Sequence, residues 1–490
     1  MGKSSNITIQ AFWVGLGSLS SFALALLSAA ILSRYFNKAD YGTYRQILYV
    51  YNTLLIIFTA GLPRVFNYYL PRYNLAQGKD IVLKITKVLF LGGLAFSVFL
   101  FAFSGLIADI LKNPELSRGI KYFSPIPMLL LPTLGIEGIF SSYKKTIFIA
   151  IYNTVSRILM LLFIVLPVIV LKGTYLYAIY GWIAVSVLTL IIAYYFRRIP
   201  FRGVKIEDSH LHFREILKYS LPLVSASLAG IAFRSANQFY ISRYFGPEVF
   251  AGFSNGFIEI PMVHMITGAT STVLMPIFSK IIHDKSDITQ LTNLWKNALQ
   301  KSAVLIYPMV IFFLFYSREV VTIVYSEAYA DSAKYFATAM TLNFFNVIIF
   351  APLLLAIGET RFYARLHYGL AISAWVVEYI AILIFNTPMS VAVSFVIISI
   401  FGIFTALIYS SRKIGVPFLK LFPVGQFLKI AVHSLASLLP VYLLIKLFLP
   451  HSSDLLCLAS GAVGYLVLLL GTARLVNINY LQILIPLFKK

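Results

Sequence analysis

Long runs of apolar residues, separated by short polar gaps, occupy most of this 490-residue chain. A helix needs about 20 mostly apolar residues to cross the hydrocarbon core of a bilayer. Runs of that length predict an all-α polytopic membrane protein with about fourteen transmembrane helices. The predicted spans lie near residues 11–33, 42–62, 88–110, 122–142, 147–171, 174–196, 216–241, 249–275, 302–320, 335–357, 366–386, 389–410, 427–449 and 453–473.

The composition agrees with this pattern and excludes other classes of protein. Hydrophobic residues make up 59% of the chain and charged residues only 12%, whereas about a quarter of a soluble globular protein is charged. A soluble enzyme, a disordered protein and a fibrous protein are therefore excluded. The single cysteine, Cys457, rules out a disulfide or a cysteine-based metal site within one chain. With no Walker A or His-Glu-x-x-His sequence either, we expect no enzyme activity, no cofactor and no metal.

The basic residues indicate an orientation in the membrane. Lysine and arginine number 40 against 18 acidic residues, a net charge of +22. In a soluble protein this would suggest nucleic acid, but here the cations lie in short gaps between spans, where the positive-inside rule explains them. With a cytoplasmic N-terminus, 27 of the 40 fall on the cytoplasmic side, 10 on the other and 3 inside spans. We expect a multi-pass protein of the cytoplasmic (inner) membrane with both termini cytoplasmic, and no nucleic-acid partner.

Two short sequences recur at a similar offset. Residues 33–36 and 242–245 both read Ser-Arg-Tyr-Phe, and residues 121–123 and 334–336 both read Lys-Tyr-Phe. Each pair occupies the same position six predicted spans apart, and internal repeats are common in transporters. The pattern predicts two pseudo-symmetric six-helix bundles, at residues 1–200 and 201–415, followed by two additional transmembrane helices in residues 416–490.

At this point the chain resembles a known family. The two halves, the Ser-Arg-Tyr-Phe-Gly-Pro-Glu of residues 242–248, the Phe-Ala-Gly-Phe of residues 250–253 and the Leu-Pro-Arg-Tyr of residues 70–73 are similar to the oligosaccharide flippases, or polysaccharide exporters, of the multidrug/oligosaccharidyl-lipid/polysaccharide (MOP) superfamily. The resemblance implies a MATE-like fold. It also implies that the protein flips a polyprenyl-pyrophosphate-linked oligosaccharide by alternating access, for a surface polysaccharide such as O-antigen.

The resemblance implies partners as well, and it has one departure. The implied partners are the lipid-linked oligosaccharide, membrane lipids, and a polysaccharide polymerase with its chain-length proteins. Family members often carry an Asp-Arg pair in the outer part of span seven. This chain has Asn237 and Gln238 there, with Arg234 one turn earlier, which puts ion coupling at this spot in doubt.

Charged residues inside spans are candidates for function, because a charge facing lipid at the bilayer centre costs roughly 3 kcal/mol or more. Three arginines lie there, and a guanidinium suits pyrophosphate. Polar side chains share a helix face with two of them at i, i+3 or i, i+4 spacing. The predicted substrate-cavity residues are Arg45, Arg157, Arg234, Asn153, Asn237 and Gln238. Snorkelling to the interface also explains Arg45.

The acidic residues and one histidine inside spans are candidates for ion coupling. They are Glu137, Glu259, His264 and Glu378. A desolvated carboxylate can carry a proton. Spacing around the connecting turns pairs Arg234 with Glu259, and less closely Arg157 with Glu137. Both a structural ion pair and a substrate-binding arginine fit these patterns.

Two other functions remain open. A multidrug exporter of the same superfamily has the same architecture, and three arginines against three glutamates and one histidine do not decide between the two substrates. A membrane polysaccharide polymerase or glycosyltransferase would place its acid–base groups on a sizeable outer loop. The outer loops predicted here are short, which argues against that alternative.

Overall fold

The computed structural model describes residues 7–284 and 287–480, and within these ranges it contains helices and no strands. The chain divides into two compact units between Ala251 and Gly252. This boundary lies inside the second predicted bundle, and the predicted bundle limits stay a prediction. Residues 481–490, at the end of the predicted C-terminal pair of helices, lie outside the described residues.

The N-terminal unit is built from helices joined by short turns. Helix α1 packs against α8, and α8 packs against α9. Helix α10 begins in this unit and runs past its end. The helices are α1 (Ile7–Tyr35), α2 (Lys38–Thr59), α3 (Leu62–Tyr69), α4 (Leu75–Ile110), α5 (Pro114–Phe123), α6 (Ile126–Leu130), α7 (Ile136–Ser142), α8 (Ile147–Leu171), α9 (Tyr175–Arg198) and α10 (Phe213–Gly256), with 3-10 turns at Leu70–Arg72, Leu131–Thr133 and Ile199–Phe201.

The C-terminal unit has the same construction. Helix α16 packs against α17, while α19 packs against both α12 and α20. Its helices are α11 (Pro261–His283), α12 (Ile288–Phe315), α13 (Ser317–Tyr325), α14 (Ala333–Asn346), α15 (Phe350–Ala356), α16 (Thr360–Phe385), α17 (Pro388–Ile414), α18 (Phe418–Leu421), α19 (Val424–Phe448) and α20 (Asp454–Thr472), with a 3-10 turn at Glu327–Ser332.

The number of membrane-crossing segments agrees with the prediction. Among the described residues, 12 helical segments are long and apolar enough to cross a bilayer, and the number rises to 14 if each of two bent pairs counts as one span. The bent pairs are Lys38–Thr59 with Leu62–Arg72, at 45°, and Phe213–Pro222 with Ser227–Gly256, at 51°. The predicted fold class, an all-α polytopic membrane protein, is confirmed.

The boundaries of several helices differ from the predictions; α12, for example, begins at Ile288 and not at residue 302. Helix α4 begins at Leu75, well before the predicted residue 88. The predicted span 122–142 is not one helix but the series α5 to α7, interrupted at Leu131–Thr133. The predicted span 249–275 is broken, because residues 257–260 are not helical and α11 begins only at Pro261. Proline lacks a backbone N–H and fits the first helical turn, so it favours a helix start there.

The turn predicted between spans seven and eight is present at Gly246. This residue has φ 79° and ψ 178° inside α10, so the helix is interrupted there. A positive φ of this kind is accessible to glycine because it has no Cβ. The Ser-Arg-Tyr-Phe of residues 242–245 therefore precedes a break, just as residues 33–36 lie at the end of α1, which finishes at Tyr35.

The polar segment between α9 and α10 is fastened to the start of α4. Asn74 donates a hydrogen bond to Glu207 at 3.0 Å, and the Lys84 ammonium lies 2.8 Å from Asp208. The hydrogen bond from Lys84 and one from a backbone N–H hold the pKa of Asp208 low, at about 2. Asp208 is therefore ionised at neutral pH, and the segment belongs structurally to the N-terminal unit.

Candidate functional site

A polar cluster joins α7 and α8 in the N-terminal unit. Glu137 lies in the first turn of α7, and the short connection between the helices brings Asn153 of α8 next to it. The Asn153 Nδ2 donates a hydrogen bond to Glu137 Oε1 at 2.6 Å. Arg157 follows one helical turn later on α8 and interacts electrostatically with Glu137, Tyr152 and Tyr51. The structure thus brings together three of the predicted site residues.

The predicted ion pair between Glu137 and Arg157 is not formed. No ion pair within 4 Å joins them in the described part of the chain, and the hydrogen bond to Glu137 comes from Asn153 instead. The Arg157 guanidinium donates a hydrogen bond to the Met160 sulfur at 3.8 Å, and a thioether sulfur is a weak acceptor. Both Glu137 and Arg157 are exposed. Among the described residues, Arg157 therefore has an electrostatic interaction with Glu137 but no ion pair with a carboxylate within 4 Å.

A second polar group follows α10. Arg234 is exposed, Gln238 is half-buried, and Asn237 is only 3% exposed with its Oδ1 lacking a hydrogen-bond partner among the described residues. The Tyr49 hydroxyl on α2 donates a hydrogen bond to the Ser235 carbonyl at 3.2 Å. This contact brings α2 beside the polar part of α10.

Arg45 lies one turn before Tyr49 on α2, where it is half-buried. It interacts electrostatically with Tyr44, which in turn accepts a hydrogen bond from the Trp182 indole N–H at 2.8 Å. All three candidate arginines, Arg45, Arg157 and Arg234, thus belong to the N-terminal unit.

The remaining ion-coupling candidates belong to the C-terminal unit, and their surroundings differ. Glu259 is exposed in the non-helical residues 257–260, so it does not lie within a helix as predicted. His264 is exposed in the first turns of α11. Because Arg234 and Glu259 belong to different units, their pairing stays a prediction.

Glu378 is the most enclosed of the predicted acids. Its side chain on α16 is fully buried, at 0% exposure, and neither carboxylate oxygen has a hydrogen-bond partner in the described ranges. An ionised carboxylate in such surroundings carries a large desolvation cost unless it is paired. These surroundings favour the protonated, neutral form of the side chain.

A buried hydrogen-bond network between α2, α5 and α10 was not predicted from the sequence. The Gln46 side chain donates to Ser242 Oγ at 2.7 Å and accepts from Asn113 Nδ2 at 2.6 Å. Asn113 also donates to Thr43 Oγ1 at 3.0 Å. Uncharged polar residues within apolar runs were the available signal. These buried hydrogen bonds hold the helices together, and the groups that form them are not accessible to a ligand.

Arg197 was also missed, because it lies at a predicted span end and was counted with the loop cations. The structure buries it, with only 7% of its surface exposed. No cluster of three or more histidine, cysteine, aspartate or glutamate side chains that could hold a metal ion occurs within residues 7–284 and 287–480.

The fold is that of MOP-superfamily transporters. A structure of the lipid II flippase MurJ in an inward closed conformation superposes with a TM-score of 0.72 at 16% sequence identity, covering 94% of this chain and 98% of that one. An inward-facing multidrug resistance MATE-family transporter gives a TM-score of 0.65 at 13% identity, covering 81% and 94%. A MOP-superfamily transporter from Pyrococcus furiosus gives 0.56 at 15% identity, covering 84% and 95%.

The sequence matches the model of a known protein family. Residues 31–334 match the model of a family described as polysaccharide biosynthesis protein. The chain belongs to this family, and the resemblance to the MOP superfamily inferred from its motifs is confirmed. No curated protein matches the sequence.

Proposed function

We propose that this protein flips a polyprenyl-pyrophosphate-linked oligosaccharide across the cytoplasmic membrane during surface polysaccharide biosynthesis. Membership of the polysaccharide biosynthesis family supports the pathway, and the likeness to a structure named as a lipid II flippase supports the type of fold. The observation that carries the proposal is Arg157, an arginine within a predicted span whose guanidinium forms no ion pair within 4 Å in the described part of the chain.

The chemistry of Arg157 suits the charged part of such a substrate. An exposed guanidinium facing lipid would be costly, so a water-filled cavity is the better surrounding for it. Its planar fork binds phosphate oxygens through two parallel hydrogen bonds. The nearby Glu137 carboxylate accepts a hydrogen bond from Asn153 at 2.6 Å, which leaves the Arg157 guanidinium without an ion pair within 4 Å in the described residues. Arg45, Arg234, Asn237 and Gln238 complete the proposed cavity lining.

The experiment is a set of arginine variants in a strain that depends on this protein for surface glycan. Arg157→Ala and Arg234→Ala should abolish surface glycan while the protein remains in the membrane at normal abundance. Arg157→Lys should restore only part of the glycan, because an ammonium lacks the bidentate geometry. Arg214→Ala is the matched control, since Arg214 is exposed at the start of α10. A normal amount of surface glycan in both alanine variants would contradict the proposal that these arginines bind the substrate.

Proton coupling through Glu378 is a second element of the proposal. Glu378→Gln keeps the shape of the protonated side chain but cannot release a proton. We expect a folded protein whose transport no longer responds to a proton gradient across the vesicle membrane. Glutamine substitutions at Glu137, Glu259 and His264 test the other candidates in the same assay. A Glu378→Gln protein that still responds to the gradient would remove Glu378 from the coupling mechanism.

The multidrug alternative and the topology have direct tests. Drug sensitivity that rises on deletion, with surface glycan unchanged, would favour the multidrug exporter. A reporter fused after Lys205, which is exposed between α9 and α10, should report the cytoplasm if both termini are cytoplasmic. An external signal would overturn that orientation.

A further inference from the structure

A groove lies on the membrane-facing side of the N-terminal unit between α4 and α9. These two helices each pack against α6 and the turn at Leu131–Thr133, which leaves a cavity of about 430 Å³ beside that turn. This volume falls in the usual range for small-molecule sites, about 300–1,000 Å³. The residues that matter in it are Lys87, Phe90 and Leu91 from α4 and Leu190, Tyr194 and Arg197 from α9.

The buried end of the groove carries an incompletely satisfied cation. Arg197 is only 7% exposed, and one of its Nη atoms donates a hydrogen bond to the Pro132 carbonyl. Its Nε is buried and has no hydrogen-bond partner in the described part of the chain, and no carboxylate forms an ion pair with it there. A buried guanidinium without an anion carries a large desolvation cost. An anion beside the exposed part of Arg197 would reduce that cost.

The rest of the groove is apolar and open to the bilayer. Leu91 is 60% exposed and Tyr194 is 53% exposed, as expected for side chains that face lipid. Arg198 holds the Tyr194 ring in place, with a hydrogen bond of 2.6 Å to its hydroxyl and the guanidinium 4.2 Å from the ring centre. An aqueous anion would find few polar partners beyond the two cations, whereas an acyl chain would find a continuous apolar surface.

The charged and apolar parts of the groove are ordered along the membrane normal. Lys87 precedes Leu91 on α4, and Arg197 follows Leu190 on α9. Since the third and sixth predicted spans run in opposite directions, both cations lie toward the same end. At 1.5 Å per residue, the apolar side chains lie about 6–10 Å deeper. That end is the one predicted to be cytoplasmic. A phospholipid has the same arrangement, with a charged headgroup at the membrane surface and an apolar acyl chain deeper in the bilayer.

We propose that this groove binds an anionic phospholipid of the bilayer, with its phosphate between Arg197 and Lys87 and an acyl chain along Phe90 and Leu91. Charge-assisted hydrogen bonds from arginine to phosphate are strong, and basic pockets between transmembrane helices on the cytoplasmic side are known to receive anionic headgroups. This site is separate from the proposed substrate cavity and does not depend on what is transported.

The test measures lipid binding to the purified full-length protein in detergent by native mass spectrometry. Phosphatidylglycerol should bind more tightly than phosphatidylcholine. Arg197→Gln and Lys87→Gln should each weaken phosphatidylglycerol binding about tenfold, as expected for one lost charge-assisted hydrogen bond, and leave phosphatidylcholine binding unchanged. Lys429→Gln is the matched control, because Lys429 is exposed on α19, and it should bind as the wild type does.

Two further measurements make the result decisive even if Arg197→Gln fails to fold. Leu91→Trp fills the groove without removing a charge, and it should also weaken phosphatidylglycerol binding. A phosphatidylglycerol with a photoreactive acyl chain should crosslink to the segment around Phe90 in the wild type and not in Leu91→Trp.

Three outcomes would overturn the proposal. In one, Lys87→Gln and Leu91→Trp both bind phosphatidylglycerol as well as the wild type. In another, inorganic phosphate displaces the lipid at equal concentration, which would make this a simple anion site. In the last, polyprenyl pyrophosphate binds there in preference to phosphatidylglycerol, which would make the groove part of the substrate path.

Discussion

Replacing Gly42 by alanine should destabilise the N-terminal unit through one specific clash. Gly42 of α2 lies against α10, and a Cβ at this position would come within 1.9 Å of the Pro247 carbonyl oxygen and 2.4 Å of its carbon. Both atoms belong to the backbone, so a change of side-chain rotamer cannot relieve the contact. The helices must separate or bend.

The size of the effect follows from overpacking and from the neighbouring hydrogen bonds. Forcing an extra methyl group into a packed contact costs about 1–3 kcal/mol. Separating α2 from α10 would also stretch the Gln46–Ser242 hydrogen bond, now 2.7 Å long, and interhelical hydrogen bonds in membranes contribute about 0.6 kcal/mol on average. We therefore expect the clash itself to lower the free energy of unfolding by about 2–3 kcal/mol, before any gain in helix propensity is added.

The assay is reversible unfolding of the purified protein in mixed micelles with increasing sodium dodecyl sulfate. Gly105→Ala is the matched control, because Gly105 also lies in a helix and a Cβ there would have nothing within 4 Å. Both variants gain the same helix propensity, about 1 kcal/mol, so their difference isolates the clash. Equal stability of the two variants would refute the close contact between α2 and α10.

Three other predictions concern ion pairs. Lys84→Ala should release the segment fastened to α4, seen as greater mobility of a spin label at Ile206; unchanged mobility would contradict the role of the Lys84–Asp208 pair. Because the pKa of Asp208 is lowered to about 2, the same label in wild-type protein should stay immobile above about pH 4 and loosen only as pH falls toward 2. Lys446→Ala should leave the buried Glu319 carboxylate without its partner at 2.9 Å and destabilise the C-terminal unit by about 1–3 kcal/mol; Lys446→Ala combined with Glu319→Gln should recover part of that loss in the same unfolding assay.

Hydropathy located the helices well because a spanning helix must satisfy its own backbone and cover it with apolar side chains. The segment 147–171 was predicted with the bounds that the structure gives to α8. Averaged hydropathy does not register a bend, however. The breaks at residues 60–61, 131–135 and 257–260 fall inside the predicted spans 42–62, 122–142 and 249–275.

The candidate site was predictable in its residue types and less so in its contacts. Charges inside apolar runs singled out Arg157 and Glu378, which lie on α8 and α16. Spacing along the chain paired Arg157 with Glu137, but the Glu137 carboxylate accepts a hydrogen bond from the Asn153 side chain instead. The burial of Arg197 was not predicted, because a basic residue at the end of a span resembles a loop residue in the sequence. Its burial depends on the packing of α9, which the sequence pattern does not show. Sequence separation does not encode these directions.

The fastening of residues 202–212 to α4 determines where this polypeptide can be cut into two co-expressed fragments. A cut at the start of that polar stretch, the obvious choice from the sequence, would place Glu207, Asp208 and α10 on a different fragment from Asn74, Lys84 and Gln46, so these contacts would have to form between fragments. A cut within residues 257–260 falls in non-helical chain just after the unit boundary. Fragment complementation should therefore succeed at the second position and fail at the first.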